Sequence, residues 1–278
     1  MQETIAFIGG GNMAASLVGG LLAAGCPASR IRVAEPLAER AAWLRSGYGV
    51  ATFDSGAQAV GGAQAIVLAV KPQQMREALA GVRPDPGAVI VSIAAGVRLE
   101  LLRELLGSDA HYVRTMPNTP ALLRQGISGM FTPLATPPAA RALAERILQA
   151  AGETVWLESE AQMDAVTALS GSGPAYFFLL TEVLREAGAA LGLDPSVAAK
   201  LARQTFIGAA AMAAGESDVA ELRRNVTSKG GTTEAALKVL EAAGIRGIFE
   251  QALTAAANRG QALGDELSRI PNPESRIP

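Results

Sequence analysis

Apolar residues follow two rhythms along this chain. Up to about residue 160, short runs rich in β-branched residues alternate with stretches of helical spacing. TIAFI (4–8), IRVA (31–34), AIVLAV (65–70), AVIVSI (88–93) and HYVRTM (111–116) are apolar almost throughout, as strands covered on both faces are. NMAASLVGGLLAA (12–24) and LAERAAWLR (37–45) lie between them and read as amphipathic helices. The alternation predicts an α/β fold with a parallel sheet between helical layers. ISGMFT (127–132) and TVWL (154–157), flanking the helical ARALAERILQAA (140–151), are expected to extend the sheet at its edge.

Past about residue 160 the strand signal stops, and alanine-rich helical patterns cover 175–192, 195–215, 219–226, 234–244 and 247–267. Gly192, Gly215 and Gly244 stand where helices end, and Pro195 suits a first turn. These helices are apolar over broad arcs, which implies burial against a partner surface. The chain therefore divides into an α/β domain (1–158) and an all-helical domain (159–278) suited to dimerisation. The proline-rich tail RIPNPESRIP is expected to be mobile.

Composition narrows the function. At 278 residues, 49% hydrophobic and 18% charged, the chain can build sizeable cores in about two domains. A net charge of −2 and only 2 Trp, 3 Tyr and 7 Phe speak against a nucleic-acid binder. Cys26 is the sole cysteine, which excludes an internal disulfide framework and suits a reducing cytoplasm. His111 is the sole histidine, so no metal site or mechanism needing two is available. The N-terminal apolar run is not preceded by basic residues and breaks on glycines, so no secretory signal is expected. No apolar run reaches about 18 residues, so no membrane span is expected.

Gly9-Gly10-Gly11-Asn12-Met13-Ala14 fits G-x-G-x-x-A between a strand and a helix, the context a dinucleotide fingerprint requires. Gly9 permits the tight turn, Gly11 the approach of a pyrophosphate, and Ala14 close packing of the helix on the strand. Glu35 closes the second strand, where an acidic residue accepts from a ribose 2′-hydroxyl and favours NAD. Lys71-Pro72 follows AIVLAV at the sheet's ligand-binding edge, although position alone fits a surface lysine equally well. Two segments of the helical half combine glycines with hydroxyls: Ser170-Gly171-Ser172-Gly173-Pro174-Ala175-Tyr176 and Ser228-Lys229-Gly230-Gly231-Thr232-Thr233. Taken alone, the first reads as a capped loop feeding a helix. The second reads as an anion nest or a capped turn.

Together, FIGGGNMA (7–14), AVKPQ (69–73), RTMPNTPA (114–121), ALSGSGPAYFF (168–178) and VTSKGGTTEAAL (226–237) resemble pyrroline-5-carboxylate reductases in order and spacing. The resemblance implies a Rossmann domain followed by a helical domain that interlocks with a second subunit, as a homodimer or an assembly of dimers. It implies hydride transfer from NADPH or NADH to the imine carbon of 1-pyrroline-5-carboxylate, giving L-proline. It places Gly9 to Ala14, Ala69, Val70, Lys71, Pro72, Ile93 and Ala95 along the cofactor. Ser170 matches the hydroxyl beside the imine nitrogen, and Glu216, Thr232 and Thr233 match positions lining the substrate pocket. The nest Gly230 to Thr233 suits the substrate carboxylate. An unactivated serine is a poor acid, so orientation is the expected role of Ser170.

Two positions depart from the family pattern. Lys229 replaces a usual proline, and Gly56 a frequent asparagine at the adenosine end. With Glu35, Gly56 predicts that NADH serves at least comparably to NADPH. A related reductase of 3-hydroxy acids would need a lysine on the helix at 175–191, which has none. A catalytically dead nucleotide sensor would bind cofactor without turnover.

Overall fold

The computed structural model describes residues 2–107 and 109–269. Contacts divide the chain into two compact units, one running to Gly171 and resuming at Ala256, the other Ser172–Ala255.

The first unit is a Rossmann-type α/β fold. Its elements are β1 (Ile5–Ile8), α1 (Asn12–Ala23), β2 (Ile31–Ala34), α2 (Ala38–Tyr48), β3 (Ala51–Phe53), α3 (Gly56–Ala59), β4 (Ala65–Leu68) and α4 (Met75–Ala78). They continue as β5 (Val89–Ser92), α5 (Leu99–Leu106), β6 (His111–Met116), β7 (Gly126–Phe131), α6 (Pro138–Gln149), β8 (Gly152–Trp156) and α7 (Gln162–Val166). The sheet runs β3-β2-β1-β4-β5-β6-β7-β8, and only the β6–β7 pair is antiparallel. Alternate residues feed two cores. Phe7, Val33, Val67 and Val91 pack with α1 and α6 on one face. Ile8, Ile66, Leu68 and Ile90 pack with α4 and α5 on the other. The near-continuous apolar runs in the sequence are this double burial.

The expected strands all form: β2 and β6 match their expected bounds, β1, β4 and β5 are one or two residues shorter, and β7 and β8 begin one and two residues earlier. The addition is β3, three half-exposed residues paired with β2 and too short for any periodicity to reveal. The boundary drawn at 158–159 follows the last strand, but this packing unit runs on to Gly171. Arg114 on β6, 3% exposed, reaches Glu160 at 3.1 Å and Asp164 at 3.7 Å, fastening the segment around α7 to the sheet.

The second unit holds α8 (Gly173–Ala190), α9 (Pro195–Ala213), α10 (Val219–Asn225), α11 (Thr232–Ala242) and the start of α12 (Ile245–Arg269). The carboxylates of Asp194 and Asp218 accept backbone N–H groups to cap α9 and α10. Gly192 (φ 98°) and Gly244 (φ 75°) close their helices left-handed, whereas Gly215 needs no such conformation. The rings of Phe177 and Phe206 stack with centroids 5.9 Å apart. Phe178, Leu184, Leu201 and Met212 nevertheless stay more than half exposed, which fits the expected partner surface. The later half of α12 belongs to the first unit, where Leu267 is buried and Arg98 pairs with Asp265 at 2.6 Å. Beyond Arg269 the proline-rich tail lies outside the described residues. Among the described residues no helix is long and apolar enough to cross a membrane.

Candidate active site

The strand order reverses direction at β1, between β2 and β4, and such a switch point is where open α/β sheets bind ligands. Backbone hydrogen bonds line the expected residues up along that edge. Glu35 donates to Phe53, Gly9 to Ala34, Ala69 to Ile8 and Ile93 to Leu68, at 2.8–3.1 Å. Val70 and Ala95 follow half-buried, and exposed Lys71 leads into a short turn at Pro72–Gln74.

The three glycines of the first turn have different reasons. Gly9 has φ +99°, and a Cβ there would sit 2.7 Å from the Ala69 carbonyl oxygen. A Cβ on Gly10 would strike Leu44 Cδ1 at 2.5 Å. Gly11 meets nothing within 4 Å, so its face is open to a ligand. Asn12 and half-buried Met13 begin α1, whose N-terminus has, among the described residues, no side-chain cap and has no acidic residue in its first turn. Ala14 is buried against the strand. An open glycine face beside uncapped N–H donors fits a dinucleotide pyrophosphate.

Glu35 does more than its position suggested. It is 8% exposed; Oε2 accepts the Gly10 N–H and Oε1 the Leu37 N–H, each at 3.0 Å. The carboxylate thus ties the glycine turn to the β2–α2 loop. Arg40 Nε donates to the Gly10 carbonyl at 2.7 Å, and its guanidinium lies 4.1 Å from the Trp43 ring centroid. Gly56 is buried at the start of α3, where a Cβ would crowd Val82 at 2.9 Å, so packing accounts for the missing side chain.

Ser170 occupies a π-helical turn, Thr167–Gly171, between α7 and α8. Such turns recur at functional sites. Its Oγ accepts a hydrogen bond from Asn118 Nδ2 at 3.2 Å. Asn118 lies within the RTMPNTPA segment but is missing from the site residues expected from sequence; the signal is a polar residue just beyond the C-terminal end of a sheet strand. Met116 packs on the same turn, where a Cβ on Gly171 would displace its methyl end at 2.5 Å.

In the second unit, Glu216 is exposed in the bend between α9 and α10. Gly230 has φ +73° and leads into α11. The nest differs in detail from the expectation. The Gly230 N–H is taken by the Glu234 carboxylate at 2.7 Å, and that of Gly231 by the Ser228 carbonyl at 3.0 Å. Among the described residues no side chain caps α11, so the N–H groups of Thr232, Thr233 and Glu234 face this end without intrahelical acceptors, beside the two threonine hydroxyls. Lys229 is exposed.

His111 opens β6 at the opposite edge of the sheet from the glycine turn, in keeping with a structural role. Cys26 is free and buried, and burial pushes its thiol pKa up. Among the described residues no His/Cys/Asp/Glu cluster could hold a metal ion.

Comparison with known proteins adds relatives to this geometry. The model for pyrroline-5-carboxylate reductase dimerisation matches residues 160–263. That for NADP oxidoreductase, coenzyme F420-dependent, matches residues 4–96. A pyrroline-5-carboxylate reductase of Pseudomonas aeruginosa is 49% identical over 268 residues, covering 95% of this chain and 98% of that protein. One from Haemophilus influenzae is 43% identical, covering 94% and 98%. The structure of a pyrroline-5-carboxylate reductase from Coxiella burnetii superposes with a TM-score of 0.89 at 42% identity, covering 95% and 99%. A Plasmodium falciparum pyrroline carboxylate reductase with NADP bound gives 0.80 at 27% identity, covering 94% and 98%.

Proposed function

The chain belongs to the pyrroline-5-carboxylate reductase family, and from that premise we propose that it reduces 1-pyrroline-5-carboxylate to L-proline, the last step of proline synthesis. One observation carries the reading: the likeness runs through both halves of the chain, at up to 49% identity. NADPH or NADH is the cofactor, and when bound it supplies the hydride to the imine carbon while the nitrogen gains a proton.

The protein's share is binding and orientation. Gly9 to Ala14 hold the pyrophosphate against the start of α1, with Glu35 on the adenosine side. Ala69 to Pro72, with Ile93 and Ala95, line the same sheet edge toward the nicotinamide. In the second unit, Thr232 and Thr233 offer N–H and hydroxyl donors to the substrate carboxylate, Gly230 and Gly231 shape that turn, and Glu216 lines the pocket. Ser170 donates a hydrogen bond to the imine nitrogen and sets the ring's orientation, the contribution near-attack geometry requires.

The dimerisation match supports self-association, and we assign a homodimer or an assembly of dimers, without nucleic acid or membrane. The free cysteine is compatible with the reducing cytoplasm to which we assign the enzyme. The domains serve cofactor binding (1–158) and substrate binding with dimerisation (159–278). The test is oxidation of NADPH and NADH dependent on added pyrroline-5-carboxylate, with proline identified as product. Oxidation independent of that substrate, or none, overturns the reading. A monomeric mass by light scattering at full activity overturns the assembly.

A further inference from the structure

We infer that Asn118 is a positioning residue that sets the direction of the Ser170 hydrogen bond, keeping the serine proton free for the substrate nitrogen. This rests on the role proposed above for Ser170. The far end of the Asn118 amide fixes which way the group faces. Its Oδ1 accepts the backbone N–H of Ile127 at 3.0 Å, at the start of β7. A backbone N–H can only donate, so the amide oxygen must face Ile127 and the amide NH2 must face Ser170. At the 3.2 Å contact between Asn118 Nδ2 and Ser170 Oγ, the serine is therefore the acceptor. A hydroxyl has one proton and two lone pairs. With one lone pair held by Asn118, the proton has nothing to do on that side. It is left for an acceptor elsewhere, and an imine nitrogen offers a lone pair of that kind.

The surroundings hold this arrangement still. Asn118 precedes a tight turn, Thr119–Leu123, closed just before β7 where the Gln125 N–H meets the Pro120 carbonyl at 3.1 Å. Met116, two residues before it, packs on Gly171, immediately after the serine. The segment Met116-Pro117-Asn118 thus touches the π-turn on both sides of the Ser170–Gly171 peptide. Asn118 touches neither substrate nor cofactor in this role; it acts through Ser170.

Substitution by aspartate separates direction from mere contact. Asn118→Asp keeps the size and the Ile127 bond, but its second oxygen accepts the serine proton and turns Ser170 lone pairs toward the substrate. Asn118→Ala loses both bonds and leaves the hydroxyl free to rotate. The expected order of kcat is wild type, then alanine, then aspartate, with aspartate lower than wild type by about a hundredfold to a thousandfold, the scale of one lost catalytic donor. Cofactor dissociation constants, read by quenching of protein fluorescence, stay within about twofold of wild type. In a Ser170→Ala background, neither substitution lowers kcat further. If alanine is worse than aspartate, or if Asn118→Asp still costs rate in the Ser170→Ala background, Asn118 acts as a brace and the inference fails. If Ser170→Ala is inactive while Asn118→Asp matches wild type, the inference fails and the role of Ser170 stands. If Ser170→Ala has wild-type kcat, the role of Ser170 itself is refuted, and this inference with it. Should the aspartate variant not fold, Asn118→Ala decides in the same cycle. A rate lost with Ser170 present and not lost again with Ser170→Ala supports the inference; an equal loss in both backgrounds overturns it.

Discussion

Glu35→Gln reads two properties of one side chain in opposite directions. The carboxylate is 8% exposed and accepts the N–H groups of Gly10 and Leu37, each at 3.0 Å. Glutamine has the same length but only one oxygen. It can keep one of these bonds, now uncharged, and must turn its NH2 toward the other N–H. Losing a charge-assisted bond and leaving a buried N–H without an acceptor costs about 2–3 kcal/mol. In a chain of this size each kcal/mol moves Tm by roughly 2–4 °C, so a fall of roughly 4–12 °C is expected by calorimetry without cofactor. Cofactor choice should move the other way. A negative charge at the end of β2 disfavours a 2′-phosphate, and its removal should shift the ratio of dissociation constants toward NADPH by about tenfold, or about 1.4 kcal/mol. An unchanged Tm would refute the carboxylate as a tie between the two loops. An unmoved ratio would show that its charge does not face the ribose, and wild type should then favour NADPH instead of using NADH at least comparably. Arg40, whose Nε is 2.7 Å from the Gly10 carbonyl, is the cation already waiting at that loop.

Gly20→Ala puts a Cβ into the Ala150 carbonyl oxygen, a backbone atom that cannot rotate away. It should destabilise the protein by about 1–3 kcal/mol or more in denaturant titration and weaken cofactor binding, because α1 carries the glycine turn. Tyr112 is buried, and burial raises its phenol from 10.0 to about 12. Between these values the unfolded chain loses the proton that the folded chain keeps, so stability complete below pH 10.0 falls as pH rises through the window. Tyr112→Phe should flatten that alkaline limb in urea titrations across the same range. Gly231→Val collides with Ser228 Oγ and should raise the Michaelis constant for pyrroline-5-carboxylate by about tenfold, with cofactor affinity unchanged. Equal substrate kinetics in a folded variant would remove the α11 turn from carboxylate binding.

What the chain reveals by itself depends on how local the responsible physics is. Strands such as IAFI and VIVS are buried on both faces, and that burial writes itself as unbroken apolar runs. The glycine turn is equally open to reading, because a left-handed Gly9 and a bare Gly11 are requirements of one short segment. β3 escapes, since three half-exposed residues hold no period. Gly56 misleads: it looks like the loss of a ligand contact and is instead squeezed between Val82 and Ala78. The nest misleads in a subtler way. Glycines at 230 and 231 announce convergent N–H groups, but Glu234, one turn ahead, engages the first of them internally. Ser170 shows the limit most clearly. Its neighbours SGSGPAY mark a loop, yet whether its hydroxyl offers a proton or a lone pair is decided by a residue 52 positions earlier. That residue's own orientation is decided in turn by a backbone N–H nine positions further on. No periodicity records a chain of this kind. Each link is an ordinary hydrogen bond, and the order in which donors and acceptors alternate along them exists only once β6, β7 and the π-turn have come together.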